Sequence, residues 1–387
     1  MSVVRLAWAY LAARPLLTLL HVLMIAIGMG TMVLVVLFTA QTEERLARDA
    51  RPVDLVVGAK GSPLQLILSA VLHVDVPTGN INYAEAKRIA ADPMIASATP
   101  LALGDSYRGF RIVGTDRSYL ALYGAHVARG SEFGGDMEAV LGAEVARRTG
   151  LGPGAELVGA HGLAGGASHA AHPYKVVGVL APTGTVMDRL VLTSLESVWE
   201  VHDQGQREPE ITALVIRYRT PLAAATLPRR INSTTMMQAA APAYETARLM
   251  NLVGVGVDAL RVFALILMAI AALSVFIALM SALEERRYDL ALLRLLGARP
   301  GELFALLACE GVTLVVSGVI LGLALGHGVA EALGRWMART NPWSITGATW
   351  QAQEAWMALA VIAAGAATCL VPAIQAYRRD PAIILKR

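Results

Sequence analysis

The sequence predicts an α-helical membrane protein of four transmembrane helices, with a large α+β extracytoplasmic domain inserted between the first and the second. Three observations carry that class. The 387-residue chain is 55% hydrophobic and only 16% charged, far more apolar than an ordinary soluble protein. Four runs, at 16–40, 252–283, 303–329 and 355–371, supply the roughly 20 mostly apolar residues that a spanning helix needs. Between the first two lies a polar stretch of about 210 residues, enough for one or two compact units.

Residues 1–15 place Arg5 and Arg14 ahead of the first apolar run. The run from Leu16 to Phe38 exceeds the roughly 7–15 residues of a signal-peptide core, so it reads as a retained anchor. Arg286, Arg287, Arg294 and Arg299 follow the second run, and Arg378, Arg379, Lys386 and Arg387 follow the fourth. Basic residues near span ends mark the cytoplasmic face. Both termini and the loop 284–302 therefore belong in the cytoplasm, and residues 41–251 and 330–354 outside. Trp336, Trp343 and Trp350 in the second outer stretch are expected interfacial anchors.

Within 41–251, Leu55–Val57, Phe110–Val113, Tyr174–Val179 and Thr212–Tyr218 are β-branched or alternating runs that read as strands. Tyr83–Ala91 and Glu138–Thr149 have helical spacing, the former closed by Asp92-Pro93. The Gly-rich stretch from Gly150 to Pro173 reads as a turn-rich excursion. An inserted subdomain is expected over about 115–173, with 42–114 and 174–235 forming the other part. Gln41–Ala50 extends the first span outward, and a stalk helix over about 243–260 leads into the second.

Several chemistries find no support. Gly58–Ser62 lacks the spacing of a phosphate-cradling P-loop, so ATP and Mg would have to be bound by a partner. No nucleophile elbow accompanies the Ser, His and Asp residues of the outer domain, and catalysis by this chain is not expected. A net charge of +3 gives no reason to invoke nucleic acid. Cys309 and Cys369 both lie in apolar spans, leaving the outer domain without a disulfide.

Three groups of residues stand out. His161, His169 and His172 share the Gly-rich loop, and neutral imidazoles so spaced can ligate zinc or copper; a solvated loop is the alternative. Gly318, Gly322 and Gly326 repeat every fourth residue on the third span, a pattern that lets helices approach closely, within the chain or across a homodimer seam. The spans hold few ionisable side chains, among them Glu310, His21 and His327, which disfavours a polar pathway through them. The third group is the cytoplasmic segment Leu283–Gly297. Leu283, Leu290, Leu293 and Leu296 share a rough helical face, Glu284, Glu285, Arg286, Arg287, Asp289 and Arg294 supply polar sides, and Gly297 is placed to end the helix. Mixed charge favours a protein partner over a resting place on lipid headgroups.

The segment EERRYDLALLRLLGARPGELFALLACEG resembles the signature region of FtsX-like permeases of the MacB type. Glu285, Arg286, Leu290, Leu293, Arg294, Gly297 and Ala298 fill corresponding places, and Asp289 stands where that family usually has Glu. The closing VPAIQAYRRDPAIILKR, the opening ARPLLTLLHVLMIAIGMG and the stretch YKVVGVLAPTGTVMDRLVLTSLESVW agree in order. The resemblance implies the permease subunit of an ABC transporter in a bacterial inner membrane, working as a homodimer with a dimer of separate ATPase subunits. ATP binding would push on Glu285, Arg286, Arg287, Asp289, Leu290, Leu293, Arg294 and Gly297 and reshape the outer domain, a mechanotransmission that moves a lipoprotein, lipid, peptide or drug, with a periplasmic adaptor or lipoprotein as further partner. An FtsX-like subunit that activates an extracytoplasmic enzyme such as a cell-wall hydrolase is the alternative.

Overall fold

The computed structural model describes residues 3–162, 169, 171–202, 208–285, 299–340 and 345–378. The chain divides into two units, Met1–Thr42 with Val253–Arg387, and Glu43–Leu252. It opens with α1 (Val3–Ala13) and α2 (Pro15–Ala50). Pro15 has no N–H to donate, so the first helix stops at Ala13 and the second begins with proline at its first turn, where that donor is not missed.

The outer unit follows in the order β1 (Leu55–Ala59), α3 (Pro63–Ala70), β2 (Ile81–Asn82), α4 (Tyr83–Ala90), β3 (Ile95–Tyr107) and β4 (Phe110–Thr115). Next come α5 (Arg117–Tyr123), β5 (Val127–Gly130), β6 (Glu138–Leu141), α6 (Ala143–Thr149), β7 (Glu156–Leu157) and β8 (Ala160–His161). After these lie β9 (Tyr174–Leu180), β10 (Leu190–Ser194), α7 (Leu195–Val201), β11 (Glu210–Ile211), β12 (Ala213–Tyr218), α8 (Pro221–Thr234) and β13 (Met237–Ala240). Side chains cap the short helices: Ser62, Asn82, Asp116 and Ser194 each accept a hydrogen bond from a backbone N–H of the first turn.

The main sheet runs β13-β1-β12-β3-β4-β10-β6-β9-β5, with β7 on β9 and β8 on β3. Strand β3, 13 residues long, serves both halves. Its first part pairs with β12 from Ile95 to Leu101, and its second with β4 from Ala102 to Tyr107. Two apolar cores flank this crossing. One gathers Leu55, Val57, Ile95, Leu214, Ile216 and Leu227; the other gathers Phe110, Ile112, Leu141, Tyr174, Val176 and Val191.

That division moves the predicted subdomain boundary. Tyr174, Val176, Val179 and Val191, expected in the flanking part, belong to the second core, because β9 runs parallel to β6 and β10 parallel to β4. The predicted helix Glu138–Thr149 is also two elements. Glu138–Leu141 is a buried strand between β10 and β9, and Gly142 turns the chain into α6. A methyl on Gly142 would lie 2.3 Å from the Met187 carbonyl, so only glycine fits that turn.

Three long helices complete the other unit: α9 (Pro242–Glu285), α10 (Pro300–Thr340) and α11 (Ala352–Arg378). With α2 they are the four helices long and apolar enough to cross a membrane. Helix α10 continues to Thr340, so helix occupies nearly half of the stretch expected as a loop at 330–354. Glu354 is fully buried and meets His327 Nε2 at 2.7 Å, while His327 Nδ1 lies 2.7 Å from the Gly347 carbonyl. Gln41 donates to the Thr346 carbonyl and accepts from its N–H. These bonds hold the segment before α11 against α10 and α2, and they satisfy polar groups that would otherwise be costly to bury.

Candidate functional site

In the outer unit one polar cluster lies apart from the two cores. Strand β3 carries Asp105 at a β-bulge: Leu103 is opposite Val113 and Ser106 opposite Arg111, so three steps on β3 match two on β4. Such a bulge re-aims a side chain. Asp105 has 3% of its surface exposed. The two-residue strand β8 sets His161 directly opposite Asp105. Around it, Gly162 donates to the Gly104 carbonyl at 2.8 Å and His169 donates its backbone N–H to the Gly159 carbonyl at 2.9 Å. Backbone hydrogen bonds thus tie Gly162 to β3 and His169 to Gly159.

The third imidazole comes from elsewhere in the chain. His202 caps the C-terminal end of α7, where its Nδ1 lies 2.8 Å from the Val198 carbonyl. A carbonyl oxygen only accepts, so that contact places a proton on Nδ1 and turns Nε2 toward Asp105. His161 Nδ1, His169 Nε2 and His202 Nε2 lie 3.2, 3.5 and 3.5 Å from the same oxygen, Asp105 Oδ1. Ring centroids stand 4.2 to 5.4 Å apart. Burial pushes the Asp105 carboxyl up, but the three imidazoles together, His202 foremost, outweigh it and hold the group below its ordinary value. Asp105 in turn raises His202 above its ordinary value.

Of the three histidines singled out in the sequence, the structure brings His161 and His169 together. His172 is not among the four residues whose ligand atoms lie within 4.8 Å of one another. Asp105 and His202 were missed. The signal for the first was a carboxylate directly after the apolar run Pro100–Gly104; for the second there was only a histidine at the end of a helix, 33 residues beyond His169.

In the membrane-spanning unit the glycine repeat of α10 faces α2. A methyl on Gly318, Gly322 or Gly326 would lie 2.6, 2.6 and 2.7 Å from the Cβ atoms of Ile25, Met29 and Val33. The seam is filled by the same chain. At one end of α9, Glu285 forms an ion pair with Arg14, at the break between α1 and α2. The other expected coupling residues, Arg286, Arg287, Asp289, Leu290, Leu293, Arg294 and Gly297, lie outside the described residues.

Residues 18–234 match the family model described as the MacB-like periplasmic core domain, and residues 261–381 match the FtsX-like permease C-terminal model. The chain belongs to the MacB/FtsX-like family of ABC transporter permeases. The permease is therefore a membrane protein whose ATPase resides in a partner subunit. Among solved structures it is similar to the periplasmic region of MacB from Actinobacillus actinomycetemcomitans, at 11% identity and TM-score 0.37, covering 53% of this chain and 98% of that one. It is also similar to the extracellular domain of the noncanonic ABC-type transporter YknZ from Gram-positive bacteria, at 11% identity and TM-score 0.32, covering 48% and 98%. No curated protein matches.

Proposed function

We propose that this permease works by mechanotransmission, converting ATP hydrolysis by its partner into movement of the outer domain for export or extraction of a lipoprotein, lipid, peptide or drug. The supporting observation is the length of two helices. Helices α2 and α9 have 36 and 44 residues, whereas about 20 suffice to cross a bilayer. Each is an unbroken rod well beyond that need, suited to carry a displacement along its axis. The apolar character of the spans fits a mechanism in which the substrate does not cross the bilayer through them.

In this reading the permease sits in a bacterial inner membrane with both termini in the cytoplasm, acts as a homodimer, and works with a dimer of ATPases and a periplasmic adaptor or lipoprotein. Residues Glu285–Gly297 receive the push. Copurification tests this: Arg287→Glu combined with Leu293→Asp is expected to abolish recovery of the ATPase with the permease while membrane insertion is unchanged. Undiminished recovery of the ATPase would remove these residues from the coupling role.

A further inference from the structure

We propose that Asp105, His161, His169 and His202 form a binding site for a divalent transition metal of the zinc class. The proposal stands apart from the transport reading and rests on the outer unit alone.

Zinc takes imidazole nitrogen and carboxylate oxygen in tetrahedral sites with bonds of about 2.0–2.2 Å, which places ligand atoms about 3.3–3.5 Å apart along each edge of the tetrahedron. The three nitrogen–oxygen separations here are 3.2, 3.5 and 3.5 Å. Four ligand atoms, three nitrogens and one oxygen, all lie within 4.8 Å of one another. The set is the one neutral-imidazole and carboxylate chemistry offers to zinc, and soft sulfur ligands are absent from it.

The polar accounting points the same way. Asp105 is buried, yet among the described residues neither of its carboxylate oxygens has a hydrogen bond of adequate geometry, and neither does His169 Nε2. Leaving an ionised carboxylate buried without such bonds is costly. A proton shared between Asp105 and one imidazole would serve a single edge of the cluster and leave the other two nitrogens facing the same oxygen. A dication at the centre would satisfy all four groups together.

The surrounding structure also prepares the ligands. The contact of His202 Nδ1 with the Val198 carbonyl fixes ring orientation and tautomer in the manner of the outer-shell partners of metal-bound histidines. The bulge at Asp105 and the pairing of β8 to β3 set the carboxylate and His161 side by side before any ion arrives. His161 keeps 49% of its side chain exposed, which gives an ion a route from solvent. Once bound, the metal would tie β8 and His169 to β3 and to the end of α7, the strand and helix that touch both cores.

The test uses the full-length chain without affinity tags, purified in detergent, stripped with a chelator and titrated with Zn²⁺ against a chromophoric competitor. One Zn²⁺ per chain is expected, with a rise in the thermal unfolding midpoint on binding, and Co²⁺ should give the intense visible absorption of a four-coordinate site. Asp105→Asn and His202→Ala should each weaken binding by more than the roughly 10–100-fold that loss of an outer-shell partner costs, while His172→Ala leaves it unchanged. Should His202→Ala fail to fold, the nearly isosteric Asp105→Asn reads the same site. The proposal is overturned if the unmodified chain binds no Zn²⁺, if Asp105→Asn binds as tightly as the parent, or if His172→Ala weakens binding as much as His169→Ala.

Discussion

His73 holds a left-handed backbone conformation, φ 54°, in the outer unit, and its Nε2 lies 2.9 Å from the Tyr119 hydroxyl. Non-glycine residues adopt that conformation only where the surroundings compel it. Burial first, and then the guanidinium groups of Arg111 and Arg189, hold the imidazole well below its ordinary value. Arg111 is itself lowered to about 10 by burial, and donates to the Asp75 carbonyl. His73 is therefore neutral in the folded chain across the physiological range. When the chain unfolds below about pH 6.5, the freed imidazole takes up a proton that the folded state excludes. Stability from this group is therefore fully present above about pH 6.5 and lost as pH falls beneath it, by up to about 1.4 kcal/mol per pH unit. Thermal unfolding between pH 7.5 and 5.5 should show a shallower acid loss in His73→Gln than in the parent; parallel profiles would contradict the assignment. Nothing in the sequence marked His73, because its environment is assembled from β4, α5 and the segment before β10, which only the fold brings together.

At the scale of elements, the seam between α2 and α10 makes a discriminating prediction. A methyl on Gly322 would lie 2.6 Å from Met29 Cβ and 2.9 Å from the Ala26 carbonyl, whereas one on Gly328 of the same helix would meet nothing within 4 Å. Overpacking a filled contact costs about 1–3 kcal/mol, and alanine in an open helical position gains about 0.5–1 kcal/mol over glycine. Gly322→Ala should therefore lower, and Gly328→Ala hold or raise, the unfolding temperature in detergent; equal responses would show that the seam is not close-packed. The four-residue glycine spacing was visible in the sequence, but the partner face of Ile25, Met29 and Val33 was not, since any neighbouring span or second copy could have supplied it. The run Glu138–Thr149 shows the opposite case. Its apolar spacing suits a helix, yet Gly142 and the neighbours β9 and β10 impose a strand on its first four residues. Pairing partners distant in sequence decide such short segments, and local pattern does not carry them.

Across the whole molecule, hydropathy fixed most of what could be read in advance, because a spanning helix must be both long and apolar. The four candidate helices and the domain between the first two follow from that constraint. The lobe boundary did not follow, because β3 runs through both halves of the sheet and no change of composition marks the crossing at Ala102. The polar cluster was half legible: His161 and His169 share one loop, while Asp105 and His202 join them through a strand bulge and a helix end. The central claim is that nucleotide binding by the partner moves the outer domain. It is tested most directly by spin labels at exposed Arg229 on α8, with Cys309 and Cys369 replaced by alanine, in the permease reconstituted with its ATPase. The distance between labels on two copies is expected to change when ATP replaces ADP, and to stay fixed in the variant carrying Arg287→Glu and Leu293→Asp. An unchanged distance in the parent complex, under conditions where ATP is hydrolysed, would contradict the mechanism.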